Sequence, residues 1–256
     1  MQKTKIEWCD STWNPVTGCF HECEYCYARK IAKRFSGASE TDAEGTLHDL
    51  ENAAVMGFKK APYPFEFEPT FHRYRLKQPK GWKKPQNIFV CSMGDLFGEW
   101  VPDEWIDAVF KDCEEAPQHN YLFLTKNPGR YMMLEKTGKL PHRGNMWFGS
   151  TVTGPHDFYL WMRDVVAHCF LSVEPIHAPL GKMNVDSEKP EWVIIGAESG
   201  NRIGKIIPQK AWIYELTREC DKYGIPVFMK NSLVPILGND NMRREIPKAL
   251  TWQKER

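Results

Sequence analysis

Three cysteines, Cys19, Cys23 and Cys26, stand in the spacing C-x-x-x-C-x-x-C within the stretch Gly18-Cys19-Phe20-His21-Glu22-Cys23-Glu24-Tyr25-Cys26-Tyr27-Ala28. Thiolates are soft ligands, and the iron of iron–sulfur clusters prefers them. A four-iron cluster has four corners, and this loop offers thiolates for three of them. One iron would then be left open for a substrate or a cofactor. Two plainer readings stand beside this one. The three thiols with His21 could ligate a structural zinc, although a separated fourth ligand is more usual than one lying between the first two cysteines. The cysteines could also be ordinary buried residues, which their clustering disfavours.

Such a loop needs a scaffold. Pro15 and Gly18 punctuate the approach to Cys19, and a first strand is expected over Trp13 to Thr17 with the loop at its carboxyl end. Helix formers from Tyr27 to Phe35 then predict a helix. Beyond residue 85, short β-rich apolar runs alternate with helical patterns. Strands are expected over Asn87–Ser92, Tyr121–Thr125, Met146–Val152, Cys169–Val173, Trp192–Gly196 and Pro226–Lys230. Helices are expected over Pro102–Glu115, from an opening at Lys126-Asn127-Pro128-Gly129-Arg130 to about Leu134, over His156–Ala167 and over Gln209–Tyr223. Runs of this kind are buried on both faces, and their order is that of parallel βαβ units. The expected fold is α/β: a partial (β/α) barrel of about six to seven parallel strands forming a single domain over 1–256. An insertion over about 37–85 follows the first βα unit.

In such barrels, sites lie at the carboxyl ends of the strands. That rule makes a site out of scattered segments: the cysteine loop, Ser92-Met93-Gly94-Asp95, Thr125-Lys126, Ser150-Thr151, Glu174, and Gly196-Ala197-Glu198-Ser199-Gly200. Each segment alone is equally a turn, because Asp and Gly favour turns. Glu174 could accept hydrogen bonds from a ribose or hold an ammonium, or form a salt bridge. Lys126 could meet a carboxylate or a phosphate, or be a solvated lysine at a helix start. Glycines at 196 and 200 would let backbone approach a ligand closely. The segment lacks G-x-G-x-x-G and the Walker lysine, which argues against a nucleotide-phosphate enzyme.

The cysteine spacing, with Tyr25 just before the third cysteine, resembles the signature of radical S-adenosylmethionine (radical SAM) enzymes. The resemblance implies a 4Fe-4S cluster on Cys19, Cys23 and Cys26, with S-adenosylmethionine on the open iron and Tyr25 bordering the adenine. It implies a 5′-deoxyadenosyl radical, formed with an electron from a donor such as flavodoxin or ferredoxin. It implies cofactor contacts at Ser92, Gly94, Asp95, Ser150, Thr151, Glu174, Gly196 and Glu198, although the common form of the second-strand segment ends in glutamate rather than Asp95. Lys126 and Glu174 are the expected catalytic residues. Leu122-Phe123-Leu124-Thr125-Lys126 resembles a strand-end segment of spore photoproduct lyase. Ile6-Glu7-Trp8, Thr12 to Cys19, Cys26-Tyr27-Ala28, Phe148 to Val152, Ser172 to Pro175 and Gly196 to Gly200 together resemble a phage and bacterial three-cysteine-motif family of radical-SAM-like proteins. Many of those relatives have a longer gap between the first two cysteines.

Composition bounds the rest. The 256 residues are 42% hydrophobic and 26% charged, as a globular chain would be. The formal net charge of +1 exerts no global pull on nucleic acid or acidic lipid. The five cysteines outside the loop are scattered, which fits reduced thiols and argues against auxiliary clusters. With no apolar leader and no run of membrane-spanning length, the expected location is cytoplasmic with no membrane partner. Within the insertion, a helix is considered over Thr46–Met56 and a strand or hairpin arm over Phe65-Glu66-Phe67-Glu68. Its cations interleave with Tyr63, Phe65, Phe67, Phe71, Tyr74 and Trp82 between Lys59 and Lys84. With Lys126, Arg202 and Lys205 they could form a nucleic-acid track, or the aromatics could simply cap the barrel. Nucleic acid or a nucleotide is the leading substrate class. The alternative function is a non-catalytic iron–sulfur or zinc-stabilised binding protein of phage origin.

Overall fold

The structure, a computed structural model, describes residues 4–36, 45–56, 59–157, 159, 166–183, 189–200 and 202–251. In chain order the elements are β1 (Ser11–Trp13), β2 (Val16–Thr17), α1 (Tyr27–Arg34), β3 (His48–Leu50), β4 (Val55–Met56), β5 (Lys59–Lys60) and β6 (Thr70–His72). There follow β7 (Asn87–Val90), α2 (Asp103–Glu114), β8 (Asn120–Thr125), α3 (Gly129–Lys136), β9 (Met146–Val152) and β10 (His168–Val173). The chain ends with β11 (Trp192–Ile195), α4 (Lys210–Lys222), β12 (Val227–Met229), a short α5 (Val234–Leu237) and single 3-10 turns.

Seven strands form one sheet in the order β1-β7-β8-β9-β10-β11-β12, and every pairing is parallel. Neighbours in space follow the order of the chain, as in a barrel and unlike a doubly wound sheet. The protein is therefore a partial (β/α) barrel, as expected. Alternate residues of each strand face opposite sides. Trp13, Ile88, Tyr121, Phe123 and Phe148 pack with α2 residues Trp105, Ile106, Val109 and Phe110 in one core, and Val173, Val193, Ile195 and Val227 pack with α4 residues Ile213, Leu216 and Cys220 in another. The opposite face carries Phe89, Leu122, Trp147, Phe170, Trp192, Ile194 and Phe228, which fill the barrel interior with Trp8 and Leu250.

The amino ends of the strands are closed by the C-terminal segment. Asn87 Nδ2 donates to Leu250 O at 2.8 Å, and Trp192 Nε1 donates to Glu245 O at 2.9 Å. The gap between the first and last strands is bridged by Glu7, which accepts from Asn231 N at 2.9 Å and from Arg244 Nη1 at 2.7 Å. The carboxyl ends form the open mouth.

Three expectations need correction. The strand over Trp13–Thr17 is two strands in two sheets: β1 pairs with β7, whereas β2 pairs antiparallel with β6. Asn14-Pro15 makes the break, because proline cannot donate to a ladder. Phe65–Glu68 is a pair of turns, with Glu66 N bonded to Tyr63 O and Glu68 N to Phe65 O, and with Glu66 at φ 51°. The flanking Pro64 and Pro69 favour turns over a paired strand. In place of a helix over Thr46–Met56 there are two short strands, β3 beside β6 and β4 beside β5. Pairing of β3 with the more distant β6 overrides local propensity there, and β4 pairs locally with β5. The expected helix over His156–Ala167 falls mostly outside the described residues, and residues 37–44 of the expected insertion lie outside them altogether. Among the described residues, no helix is long and apolar enough to cross a membrane.

Candidate functional site at the barrel mouth

The cysteine loop begins where β2 ends and is gripped from two sides. Cys19 N donates to Phe67 O at 3.0 Å, and Gly18 N donates to Met93 O at 2.9 Å. Gly18 sits at φ +86°, and a Cβ built on it would lie 2.2 Å from Glu68 O. Gly94 is equally confined, since a Cβ there would lie 2.7 Å from Gly18 O. Both positions need glycine for the strand-end segment Ser92–Asp95 to lie against the loop. The loop ends at Cys26, which caps α1: its sulfur accepts from Arg29 N at 3.4 Å. Cys19 and Cys26 pack against Ala28, Ala32, Phe67 and Met93, with Tyr63 beside them.

Asp95 is the hub beneath the loop. Its Oδ2 accepts from His21 Nε2 at 2.8 Å, from Thr125 Oγ1 at 3.0 Å and from Lys126 N at 3.0 Å, while Oδ1 accepts from Phe97 N at 3.0 Å. A carboxylate so fully engaged positions the loop and has little left for a ligand. Ser92 is also committed: its hydroxyl donates to Asn14 Oδ1 at 3.1 Å, and its carbonyl accepts from Tyr27 OH at 2.7 Å. Burial, followed by the Asp95 charge, pushes the Cys19 thiol up, and the nearby thiols of Cys23 and Cys26 add to the rise.

Beyond the cysteines, the loop reaches across the mouth. Tyr25 lies with Lys126 Nζ 5.3 Å from its ring centroid and the His177 imidazole edge-on at 5.2 Å. Burial, then the Cys23 sulfur, pushes its phenol up and keeps it neutral. His177 Nε2 stands 3.6 Å from Glu198 Oε2, and burial holds the imidazole below its usual value, as a neutral ring. Arg202 grips Glu198 with two bonds, of 2.7 and 2.9 Å, and its Nη1 reaches Glu24 of the cysteine loop at 2.9 Å. That guanidinium holds the Glu198 carboxyl below its ordinary range. Deeper in the mouth, Lys230 Nζ pairs with Glu174, and both stems lie 3.2 Å from where a Gly196 Cβ would be. Glycine at 196 leaves room for the pair.

The structure thus brings Cys19, Cys23, Cys26, Tyr25, Lys126, Glu174, Gly196 and Glu198 to one mouth, with Ser92, Gly94 and Asp95 forming its wall. Thr151 shares the interior face with Gly149, beside Ser172, whose buried hydroxyl has no partner among the described residues. Ser150 does not join them. It faces the helix side with Phe148 and Val152, because side chains alternate along β9. His177, Lys230 and Asn14 were not singled out from sequence. Lys230 closes the last expected strand and His177 lies three residues past Glu174, so the strand-end rule could have found both.

The insertion spends its aromatics on packing. Phe65 stacks on His48 at 3.6 Å, Phe71 is buried in the core, and Trp82 sits edge-on to His119 at 6.0 Å. Two of its cations are engaged as well: Arg73 pairs with Asp49, and Arg75 donates to Asn14 O and Pro62 O. These three rings are engaged in packing within the protein.

A metal at the loop can be tested by its donors. Zinc would need thiolates converging on one ion, at about 2.3 Å each. Among the described residues, no three His, Cys, Asp or Glu side chains converge in that way. His21, the suggested fourth ligand, is held by Asp95 and sits edge-on to Trp100 at 4.9 Å. A cluster asks something different, since each thiolate takes its own iron. Three thiols outside any disulfide, on one anchored loop, fit that group in type and number.

The fold and mouth define a partial (β/α)-barrel protein with a cysteine loop at the carboxyl ends of its strands. Residues 3–236 match a family described as "Protein of unknown function (DUF5131)", and the chain belongs to that family. No curated protein and no solved structure matches it.

Proposed function

We propose that this protein is a radical S-adenosylmethionine enzyme, with a 4Fe-4S cluster held by Cys19, Cys23 and Cys26. The observation that carries the reading is the C-x-x-x-C-x-x-C loop lying at the strand-end mouth of a parallel partial barrel, where sites of this architecture form. When bound, the cluster and S-adenosylmethionine would supply an electron and a 5′-deoxyadenosyl radical for hydrogen abstraction from a substrate. The protein's part is to bind, orient and exclude water. Tyr25 offers a ring face to a flat base, with Lys126 beside it for a carboxylate or phosphate. Glu174 and Lys230 offer a carboxylate and an ammonium inside the mouth, and Thr151 and Ser172 offer hydroxyls. Thr125 and Lys126 are held in place by Asp95. The substrate class that best fits a mouth with an aromatic face and cations is a nucleotide or nucleic acid, entering as an unstacked base.

Anaerobic reconstitution tests the reading. The protein should turn brown, bind iron and sulfide in equal amounts, and release 5′-deoxyadenosine when reduced with S-adenosylmethionine. Cys23→Ala should abolish both cluster and cleavage. A colourless protein holding stoichiometric zinc, or cleavage that survives Cys23→Ala, would overturn it.

A further inference from the structure

Glu174 and Lys230 form an ion pair inside the mouth, and its outer atoms are unspent. Lys230 Nζ donates to Glu174 Oε1. Among the described residues, neither side chain has a further hydrogen-bond partner. An ammonium carries three donors and a carboxylate accepts at both oxygens, so N–H groups of the lysine and Oε2 of the glutamate are left over. The pair is reachable, with 28% of the Glu174 side chain and 19% of the Lys230 side chain exposed. Nothing projects over it from Gly196, where a Cβ would lie 3.2 Å from both stems. An aromatic ring stands nearby. Tyr27 is half-exposed with its hydroxyl on Ser92 O, and burial, followed by the Glu174 charge, pushes its phenol up. Two residues before Glu174, on β10, the Ser172 hydroxyl is buried and unpartnered among the described residues.

We propose that this pair reads the edge of a guanine base held in the mouth. The inference deepens the reading of the mouth as a site for an unstacked base, and rests on it. From the lysine outward the polar atoms come in the order Nζ, Oε1, Oε2, which is donor, acceptor, acceptor. The matching edge is acceptor, donor, donor. Guanine presents that order at O6, N1–H and N2–H. Adenine offers donor then acceptor, cytosine offers donor, acceptor, acceptor, and uracil and thymine offer acceptor, donor, acceptor. A flipped base is read at this edge. A neutral base can lie along the pair without separating it. A zwitterionic ligand would have to pull the two charges apart and pair each anew. A site built to bond a donor rejects the analogue that lacks it, because its own polar group is then left unpaired.

Calorimetric titration of the full-length, reconstituted and unreduced protein tests this, with the monophosphates of guanosine, inosine, adenosine, cytidine and uridine as probes. All five share sugar and phosphate, so differences report the base. Guanosine should bind tightest. Inosine, which lacks only the N2 amino group, should bind about tenfold more weakly, and the other three more weakly still. Glu174→Gln turns one acceptor into a donor, so it should erase the preference for guanosine over inosine. That ratio is read within one protein, so a partly unfolded variant cannot imitate it. Tighter binding of a single-stranded trinucleotide with one central guanine would make a strand the source of the base, and equal binding a free nucleotide. Equal binding of all five probes, tightest binding of another base, or an unchanged guanosine preference in Glu174→Gln would overturn the inference. So would binding of L-methionine that Glu174→Gln abolishes while guanosine binding persists, which would give the pair to an amino acid. Binding of no nucleotide at all would strike the base reading of the mouth and the inference with it. None of these readouts needs cleavage of S-adenosylmethionine, so a failure of the cluster reading would show separately, in reconstitution.

Discussion

Asp95 Oδ2 accepts a hydrogen bond from His21 Nε2 at 2.8 Å, which joins the cysteine loop to the end of β7. The same oxygen accepts from Thr125 Oγ1 and Lys126 N, so one buried carboxylate sets the cysteine loop and the next strand end in a single frame.

Asp95→Ala should therefore leave several buried donors without partners. Each such group costs about 1–3 kcal/mol, so a loss of roughly 3 kcal/mol or more is expected. Urea unfolding measures it. Asp95→Asn keeps one acceptor oxygen and should lose less. An unchanged midpoint for Asp95→Ala would remove Asp95 from this role.

Gly18→Ala should be worse than most glycine replacements. The new methyl would meet Glu68 O at 2.2 Å, and the backbone at φ +86° disfavours any side chain. A loss of about 3 kcal/mol or more is expected, read as a lower thermal midpoint. Gly138→Ala, at φ +67° with nothing within 4 Å, isolates the backbone cost and should lose less.

His72 should make stability sensitive to acid. Burial, then the Arg75 charge, lowers its imidazole from 6.5 to about 3 in the folded protein. The unfolded chain binds the proton more readily, so unfolding takes up a proton between those values. Stability is then fully present above about pH 6.5 and is lost progressively as pH falls toward 3. The imidazole bonds Thr17 Oγ1 at 2.9 Å, directly before the cysteine loop. His72→Gln should flatten the dependence of the urea midpoint on pH between 6 and 4. An equally steep profile in that variant would assign the acid sensitivity elsewhere.

Arg202→Ala should free the cysteine loop without unfolding the barrel. Its bond to Glu24 ties the loop to the far side of the mouth, and its bonds to Glu198 hold the anchor. Hydrogen exchange should quicken roughly tenfold or more at amides 21–25, with the amides of β8 and β9 unchanged. Equal protection in both proteins would show that the loop is held by its own turns.

Much of this was legible in the residues. Six of the seven sheet strands, β7 to β12, announced themselves as short apolar runs, most of them separated by helical patterns, because a strand covered on both faces must be apolar throughout. The cysteine spacing and the strand-end segments were equally local signals. What escaped were features that depend on partners far along the chain. The break at Asn14-Pro15 matters because β2 meets β6, over fifty residues away, and the turns at Phe65–Glu68 serve contacts to His48 and to the cysteine loop.

Ligand-like residues and framework residues look alike in a string of letters. Asp95 and Glu174 both follow apolar strands, yet Asp95 is consumed by four internal donors while Glu174 meets Lys230 inside the mouth. Periodicity is a property of neighbours in the chain, and it carried the architecture. Which polar groups find each other depends on packing across the barrel, and that is where Asp95, His177 and Lys230 acquired their places.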